Sequence, residues 1–375
     1  MHDNDLGEQF TRWAQPLRAA QPPALPVIRR RARRHTARTA VSGLAVIGAV
    51  AGIALSGFPR ASQVPSAAAI AGGGPPPYAV VLEHSTGGQA ASVVDMGTGK
   101  VLGRVATPVA RSDFEWVAAA ADDRTFVLAD QSQTLVIRFY LLHLAASGKP
   151  GRLTQLDVPP LRDDQIYGMA VTADASKLAV AWQNNPTGPV SSHIGVTTLA
   201  TGVTHTWTST SGGALSLSWA GDSALAFDWQ DTARDARSGV RLLDTAGGGT
   251  NPLASRLLIP ASTRTSTLSS PGDPLIADDG STLFVNMAAG VSGNETAIVR
   301  FSARTGKLQA VLIQPASSGQ GQWYCGVLWT DPHGRHLLTQ CGASQASIEG
   351  NHRTGIHLHQ LIPASPVGVA NTFAW

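Results

Sequence analysis

The sequence predicts an all-β fold over residues 78–375: a six-bladed β-propeller, with a seven-bladed ring as the alternative. Three observations predict it. Charged residues make up only 14% of the chain while Gly (39) and Pro (23) are spread along it, a balance that favours many short strands over long helices. The same balance, with 43% apolar residues, excludes whole-chain disorder and a coiled coil. Second, an Asp-bearing turn recurs at Asp122, Asp174, Asp222, Asp278 and Asp331, with spacings of 52, 48, 56 and 53 residues, each followed by an apolar run. Third, each unit carries a later Gly turn: Thr98-Gly99-Lys100, Ser147-Gly148-Lys149, Thr201-Gly202, Gly247-Gly248-Gly249 and Thr305-Gly306-Lys307. Gly supplies the positive φ that tight hairpins need, so each period holds two hairpins and hence four strands, the propeller unit.

Residues 1–38 form a basic tail. Residues 1–60 hold 9 Arg and 3 acids, whereas 61–375 hold 19 basic and 22 acidic residues, so the net charge of +3 originates in the tail. Leu6, Phe10, Trp13 and Leu17 recur at helical spacing, which predicts a short amphipathic helix ended by Pro22 and Pro23. Arg29, Arg30, Arg31, Arg33, Arg34 and Arg38 stand directly before an uncharged run, 39–58. Its 20 residues would make a helix of about 30 Å, the thickness of a hydrocarbon core, so the run is expected to be a transmembrane signal anchor. The 38 residues before it are too long for the leading segment of a cleaved signal peptide. A twin-arginine export signal around Arg33 and Arg34 is the competing reading. The arginines act as topology determinants, holding the N-terminus in the cytoplasm and placing the large C-terminal part outside. Their position beside a span gives them a role in orientation and lipid attraction, and no nucleic-acid partner is expected. Gly48 and Gly52 form a G-x-x-x-G face on which two such helices could pack as a dimer. Residues 59–77, rich in Pro, Gly and Ala, read as an extended stalk.

The units themselves run 112–158, 164–208, 213–260, 270–315 and 321–362, with an incomplete one at 78–107 that lacks its innermost strand. Val369 to Trp375 resembles the inner strands of the other units and is expected to complete this first one. Such a terminal-strand closure removes open sheet edges.

The pattern Asp-x-Gly-Ser-x-Leu (clearest at Asp278 to Leu283), followed by x-x-Asp-x-x-Thr-Gly-Lys-x-Leu hairpins (Asp95 to Leu102), resembles bacterial WD-repeat-like, TolB-like and YVTN-type propeller repeats. The resemblance covers residues 78–375 and implies a fold, not an activity. The Gly-His and Trp-Asp dipeptides of true WD repeats are missing, and Leu283 stands where a sialidase Asp box has Trp. Tail, anchor, stalk and propeller together look like membrane-anchored propeller proteins of high-GC bacteria, which implies the bacterial plasma membrane, single-pass, with the propeller outside.

Cys325 and Cys341 flank the Asp331 turn nearly symmetrically and should be cross-strand neighbours, allowing for one bulge residue; in an exported domain they are expected to form a disulfide. His357 and His359 share a strand face, but no carboxylate matches them and they read as solvent-facing, so no metal site is expected. No motif for a catalytic nucleophile, a zinc protease or a phosphate-cradling loop occurs in a supporting context, and no catalytic or cofactor-binding residues are assigned. The insertions 183–193, 229–238, 286–295 and 341–355 mark where recognition would vary, and Asp231, Arg234, Asp235 and Arg237 form a candidate ligand loop. The leading expectation is a binding or scaffold module for a protein, peptide or cell-envelope ligand. A transmembrane signal transducer resembling an anti-sigma regulator, and an extracytoplasmic propeller hydrolase or lyase, are the alternatives.

Overall fold

The computed structural model describes residues 76–362 and 372–374, apart from 84–89, 163, 185–190, 232–234, 265–267, 290–294, 314–324, 332, 342–343 and 350–356. The tail, the expected span 39–58 and nearly all of the stalk, with Gly48, Gly52 and the six arginines, lie outside the described residues. Among those described, no helix is long and apolar enough to cross a membrane.

The chain is an all-β β-propeller. Its first sheet contains β1 (Tyr78–Glu83), β2 (Ala90–Asp95) and β3 (Val101–Val105); next come β4 (Ser112–Ala119), β5 (Thr125–Ser132), β6 (Val136–His143), β7 (Thr154–Gln155) and β8 (Leu161–Arg162). A third is built from β9 (Asp164–Val171), β10 (Lys177–Asn184), β11 (Ser192–Thr198) and β12 (Val203–Ser209), and a fourth from β13 (Gly213–Ala220), β14 (Ala224–Gln230), β15 (Gly239–Asp244) and β16 (Arg256–Pro260). β17 (Leu268–Ile276), β18 (Thr282–Ala289), β19 (Glu295–Ser302) and β20 (Leu308–Ile313) form another. The last holds β21 (Cys325–Thr330), β22 (His336–Cys341), β23 (Ser344–Glu349) and β24 (His357–Ile362). β25 (Thr372–Ala374) returns to pair antiparallel with β1, with Val80 opposite Ala374 and Leu82 opposite Thr372. Among the described residues, five sheets are four-stranded and antiparallel, four of them plain meanders and the first completed by β25. The sheet of β4–β8 has five strands because its outer edge is split, β7 and β8 pairing with opposite ends of β6 on either side of Pro159 and Pro160. Proline has no N–H to give a ladder, which accounts for the break.

The innermost strands touch in sequence: β25 packs against β4, β4 against β9, β9 against β13, β13 against β17, β17 against β21, and β21 against β25. Between neighbouring sheets lie apolar layers, such as Val80, Leu82, Phe114, Phe126 and Leu128 between the first two. Hydrogen bonds also join neighbouring sheets: Trp219 Nε1 donates to the Ala170 carbonyl at 3.1 Å, and Ile276 N to Ser218 Oγ at 3.0 Å.

Three of the five recurrent aspartates work as turn caps. Asp122 Oδ1 accepts from the amides of Arg124 and Thr125 at 3.1 and 2.8 Å, and Asp174 and Asp331 do the same in their turns. In the fifth sheet the cap is Asp279, bonded to the Ser281 amide, while Asp278 instead accepts from Gly221 N of the preceding sheet at 3.1 Å. Gly99, Gly148, Gly202 and Gly306 hold φ between 67° and 74°, as the hairpin reading requires. The Gly247–Gly249 turn differs. None of its glycines has positive φ; β15 and β16 are joined by residues 245–255, which include a 3-10 turn at Pro252–Ala254 capped by Asn251.

The residue that follows the Asp122 cap has a pH consequence. Burial, reinforced by the neighbouring Asp122 charge and opposed by Arg124, pushes the Asp123 carboxyl up to about 7. Its folded-state pKa exceeds the unfolded value of about 4, so its contribution to stability is fully present below that value and is lost as pH rises through about 7. Asn tolerates the φ of 54° at this position. Asp123→Asn is therefore expected to raise stability at pH 8 by about 1–3 kcal/mol and to change little at pH 4, as read from urea melts at the two pH values.

Candidate functional site

Each inner strand from β4 to β21 carries a β-bulge opposite the interior of its partner strand. The ladders skip Glu115 in β4, Tyr167 in β9, Ser216 in β13, Ser270 and the Asp273–Pro274 pair in β17, and Leu328 in β21. Bulges re-aim side chains and concentrate near binding sites. On the second strand, beside the bulge, stand Asp130, Trp182, Asp228, Asn286 and Thr339; all but Trp182 are polar and buried.

Between β13–β14 and β17–β18 these features converge. Ser216, Ser270 and Asp273 have φ of 43°, 49° and 45°, a region that costs non-glycine residues energy. Asp273 is exposed on its inner strand, and its Oδ1 accepts from Ser216 Oγ of the neighbouring sheet at 2.6 Å. Its Oδ2 accepts from Asn286 Nδ2 at 3.3 Å, and Asn286 Oδ1 is buried with no hydrogen-bond partner. Asp228 lies behind, 4% exposed, its Oδ2 accepting from Gln230 Nε2 at 3.3 Å. Gly272 of β17 lies next to it: a Cβ there would stand 3.6 Å from Asp228 Oδ2, an ordinary contact distance. Burial raises the Asp228 carboxyl to about 6, Gln230 opposes the shift and the Asp273 charge adds to it. The group thus brings two carboxylates and the Asn286 amide together, with one acid exposed and one raised to about 6. Chemically, it suits a positively charged or N–H-rich partner.

The residues singled out in the sequence fall elsewhere. Asp231 is buried, its carboxylate accepting from Ser211 Oγ and its amide donating to Ser238 Oγ at 2.8 Å, so it holds its own loop. Arg234 lies outside the described residues. Asp235–Arg237 form a 3-10 turn whose Arg237 carbonyl accepts from the Arg241 guanidinium. Cys325 and Cys341 are direct Cα partners in the β21–β22 ladder, with the bulge between Val327 and Trp329. His357 and His359 lie two apart on β24, opposite Glu349 and Ser347 of β23. Among the described residues, no group of three or more His, Cys, Asp or Glu is placed to hold a metal ion.

Asp228, Asp273 and Asn286 were not singled out in the sequence. The available signal was Pro271-Gly272-Asp273-Pro274: two prolines inside a strand pattern mark a bulge.

No protein-family model and no curated protein matches the sequence. Solved structures similar to this chain are TolB and related β-propeller proteins. TolB from Acinetobacter baumannii superposes with a TM-score of 0.52 at 15% identity, over 80% of this chain and 66% of that one, so the chain spans just under two thirds of that protein. The periplasmic gluconolactonase of Pseudomonas aeruginosa gives a TM-score of 0.48 at 18% identity, over 76% of this chain and 82% of that one. An oligogalacturonate lyase from Vibrio parahaemolyticus gives 0.46 at 12% identity, over 75% and 74%. At these identities the likeness is one of fold.

Proposed function

We propose that the propeller is a binding module, carried outside the plasma membrane on the 39–58 anchor, whose Asp228–Asp273–Asn286 group receives a basic segment of a protein or peptide. The observation that carries the reading is the strained, exposed Asp273, braced by Ser216 of the next sheet in front of a buried acid. A carboxylate kept at a strained position on a rigid inner strand is the kind of preorganised acceptor that a binding site uses. We read the five four-stranded sheets and the split sheet of β4–β8 as six blades of one ring. The sequential contacts of the inner strands support that count. We further propose that Cys325 and Cys341 are joined as a disulfide, which their ladder register favours; the intact mass should then rise by about 2 Da on reduction.

Isothermal titration of the full-length chain with a tetra-lysine peptide tests the binding reading. Binding is expected at pH 7.5 and should be absent for tetra-glutamate. It should weaken at least tenfold in Asp273→Asn, about 1.4 kcal/mol, and weaken as pH falls through about 6, where Asp228 takes up a proton and its charge is lost. Equal binding by the wild type and Asp273→Asn would refute the site.

A further inference from the structure

At the end of β10 and the start of β11, away from the acidic group, a serine and a histidine are arranged as a nucleophile and its base. Ser191 Oγ lies 2.9 Å from His193 Nε2, and His193 Nδ1 lies 3.0 Å from Thr208 Oγ1 on β12. Asn184 Nδ2 donates to Ser191 Oγ at 2.8 Å. With Oγ accepting from the amide, the serine O–H turns to Nε2, which places the ring proton on Nδ1 facing Thr208. Trp182 stacks on the imidazole at 5.1 Å and 18°, and Gly195 leaves room for that indole, since a Cβ there would lie 2.7 Å from its ring. Burial lowers the His193 pKa, partly offset by Asp164, which keeps the imidazole neutral and able to accept a proton at pH 7. Ser191 and His193 are both half-buried and so remain open to solvent.

A hydrogen-bonded Ser–His pair with a third group on the far ring nitrogen is the arrangement that activates a hydroxyl for attack on an acyl group. We propose that Ser191 is an acyl-accepting nucleophile with His193 as its general base, acting on small carboxylic esters, a role that goes beyond the binding reading and does not depend on it. In the first half-reaction Ser191 Oγ bonds to the ester carbonyl carbon as its proton passes to His193 Nε2. The tetrahedral adduct then collapses: the carbon–alkoxide bond breaks and the leaving alcohol takes that proton, giving acyl-Ser191. In the second, water attacks the acyl carbon, giving its proton to Nε2. The carboxylic acid leaves as Oγ recovers the proton. Asn184 Nδ2, donating to Ser191 Oγ, holds the oxygen so that its proton faces Nε2. Thr208 is a positioning residue that acts through the ring.

The test is to mix the full-length chain with p-nitrophenyl acetate, following p-nitrophenol release and mapping acetylated peptides by mass spectrometry. A burst approaching one equivalent is expected, with the acetyl group on Ser191, and Ser191→Ala should lose both. His193→Gln should slow acylation by about 10²-fold or more. Thr208→Val should shift the pH profile of acylation, and Thr208→Ser should restore it. All three sites are at least partly open to solvent, so far-ultraviolet circular dichroism should show each variant folded. Acetylation confined to other residues, or an unchanged burst in folded Ser191→Ala, would overturn the proposal.

Discussion

Truncation after Gly368, which removes β25, is expected to open the ring. β25 is the inner neighbour of β1 and touches both β4 and β21, so its loss frees one edge of β1 and separates the chain's ends. Val80 and Leu82 on that strand are fully buried against Phe114, Phe126 and Leu128. Exposing even these two side chains costs about 1.5–3 kcal/mol each, which gives roughly 3–6 kcal/mol of lost stability. In a domain of this size the thermal midpoint should fall by roughly 10 °C. The unpaired edge of β1 should also drive association, visible as concentration-dependent light scattering. A truncated chain that melts like the full one would show that closure through β25 contributes nothing.

Trp229→Ala is the second large effect. Trp229 is fully buried between β9–β12 and β13–β16, packed edge-on against Phe227 with centroids 6.3 Å apart. Truncating such a side chain leaves a cavity that the neighbouring strands cannot close, at a cost of about 3–5 kcal/mol in denaturant melts. Trp229→Phe should lose far less. The indole Nε1 has no hydrogen-bond partner, so Phe removes an unsatisfied donor along with part of the volume. Equal losses for the two variants would contradict the reading that lost volume sets the cost.

The repeat was legible because its signals are local. An Asp cap and a Gly at positive φ act within four residues, so unit boundaries drawn at 112–158, 164–208 and 213–260 fall close to β4–β8, β9–β12 and β13–β16. The closing strand was legible as a missing partner for residues 78–107. The symmetric spacing of Cys325 and Cys341 likewise anticipated their register. Gly247–Gly249 misled: three glycines in a row suggested a tight hairpin, but the Asn251 cap and Pro252 favour a longer connection with a 3-10 turn.

The candidate site was not legible, for a physical reason. In β14 both faces are buried from Leu225 to Trp229, so Asp228 sits among buried residues, and nothing in the sequence identifies its neighbour. That neighbour, Asp273, is 45 residues away on the next sheet and is brought close by a bulge whose register only the assembled ladder defines. Ser191 and His193 lie two apart in sequence, yet Thr208 and Asn184 join them only once β10, β11 and β12 are paired.

Carboxyl labelling with a water-soluble carbodiimide and an amine, read by peptide mass spectrometry, tests the acidic site most directly. In the free protein Asp273, exposed on its inner strand, should be labelled readily, while Asp228, buried behind it, should react slowly. With saturating tetra-lysine at pH 7.5, labelling of Asp273 should fall severalfold while that of Asp95, half-buried at its hairpin turn on the first sheet, stays constant. Uniform protection of all exposed carboxylates, or none at Asp273, would contradict a basic ligand held at this place.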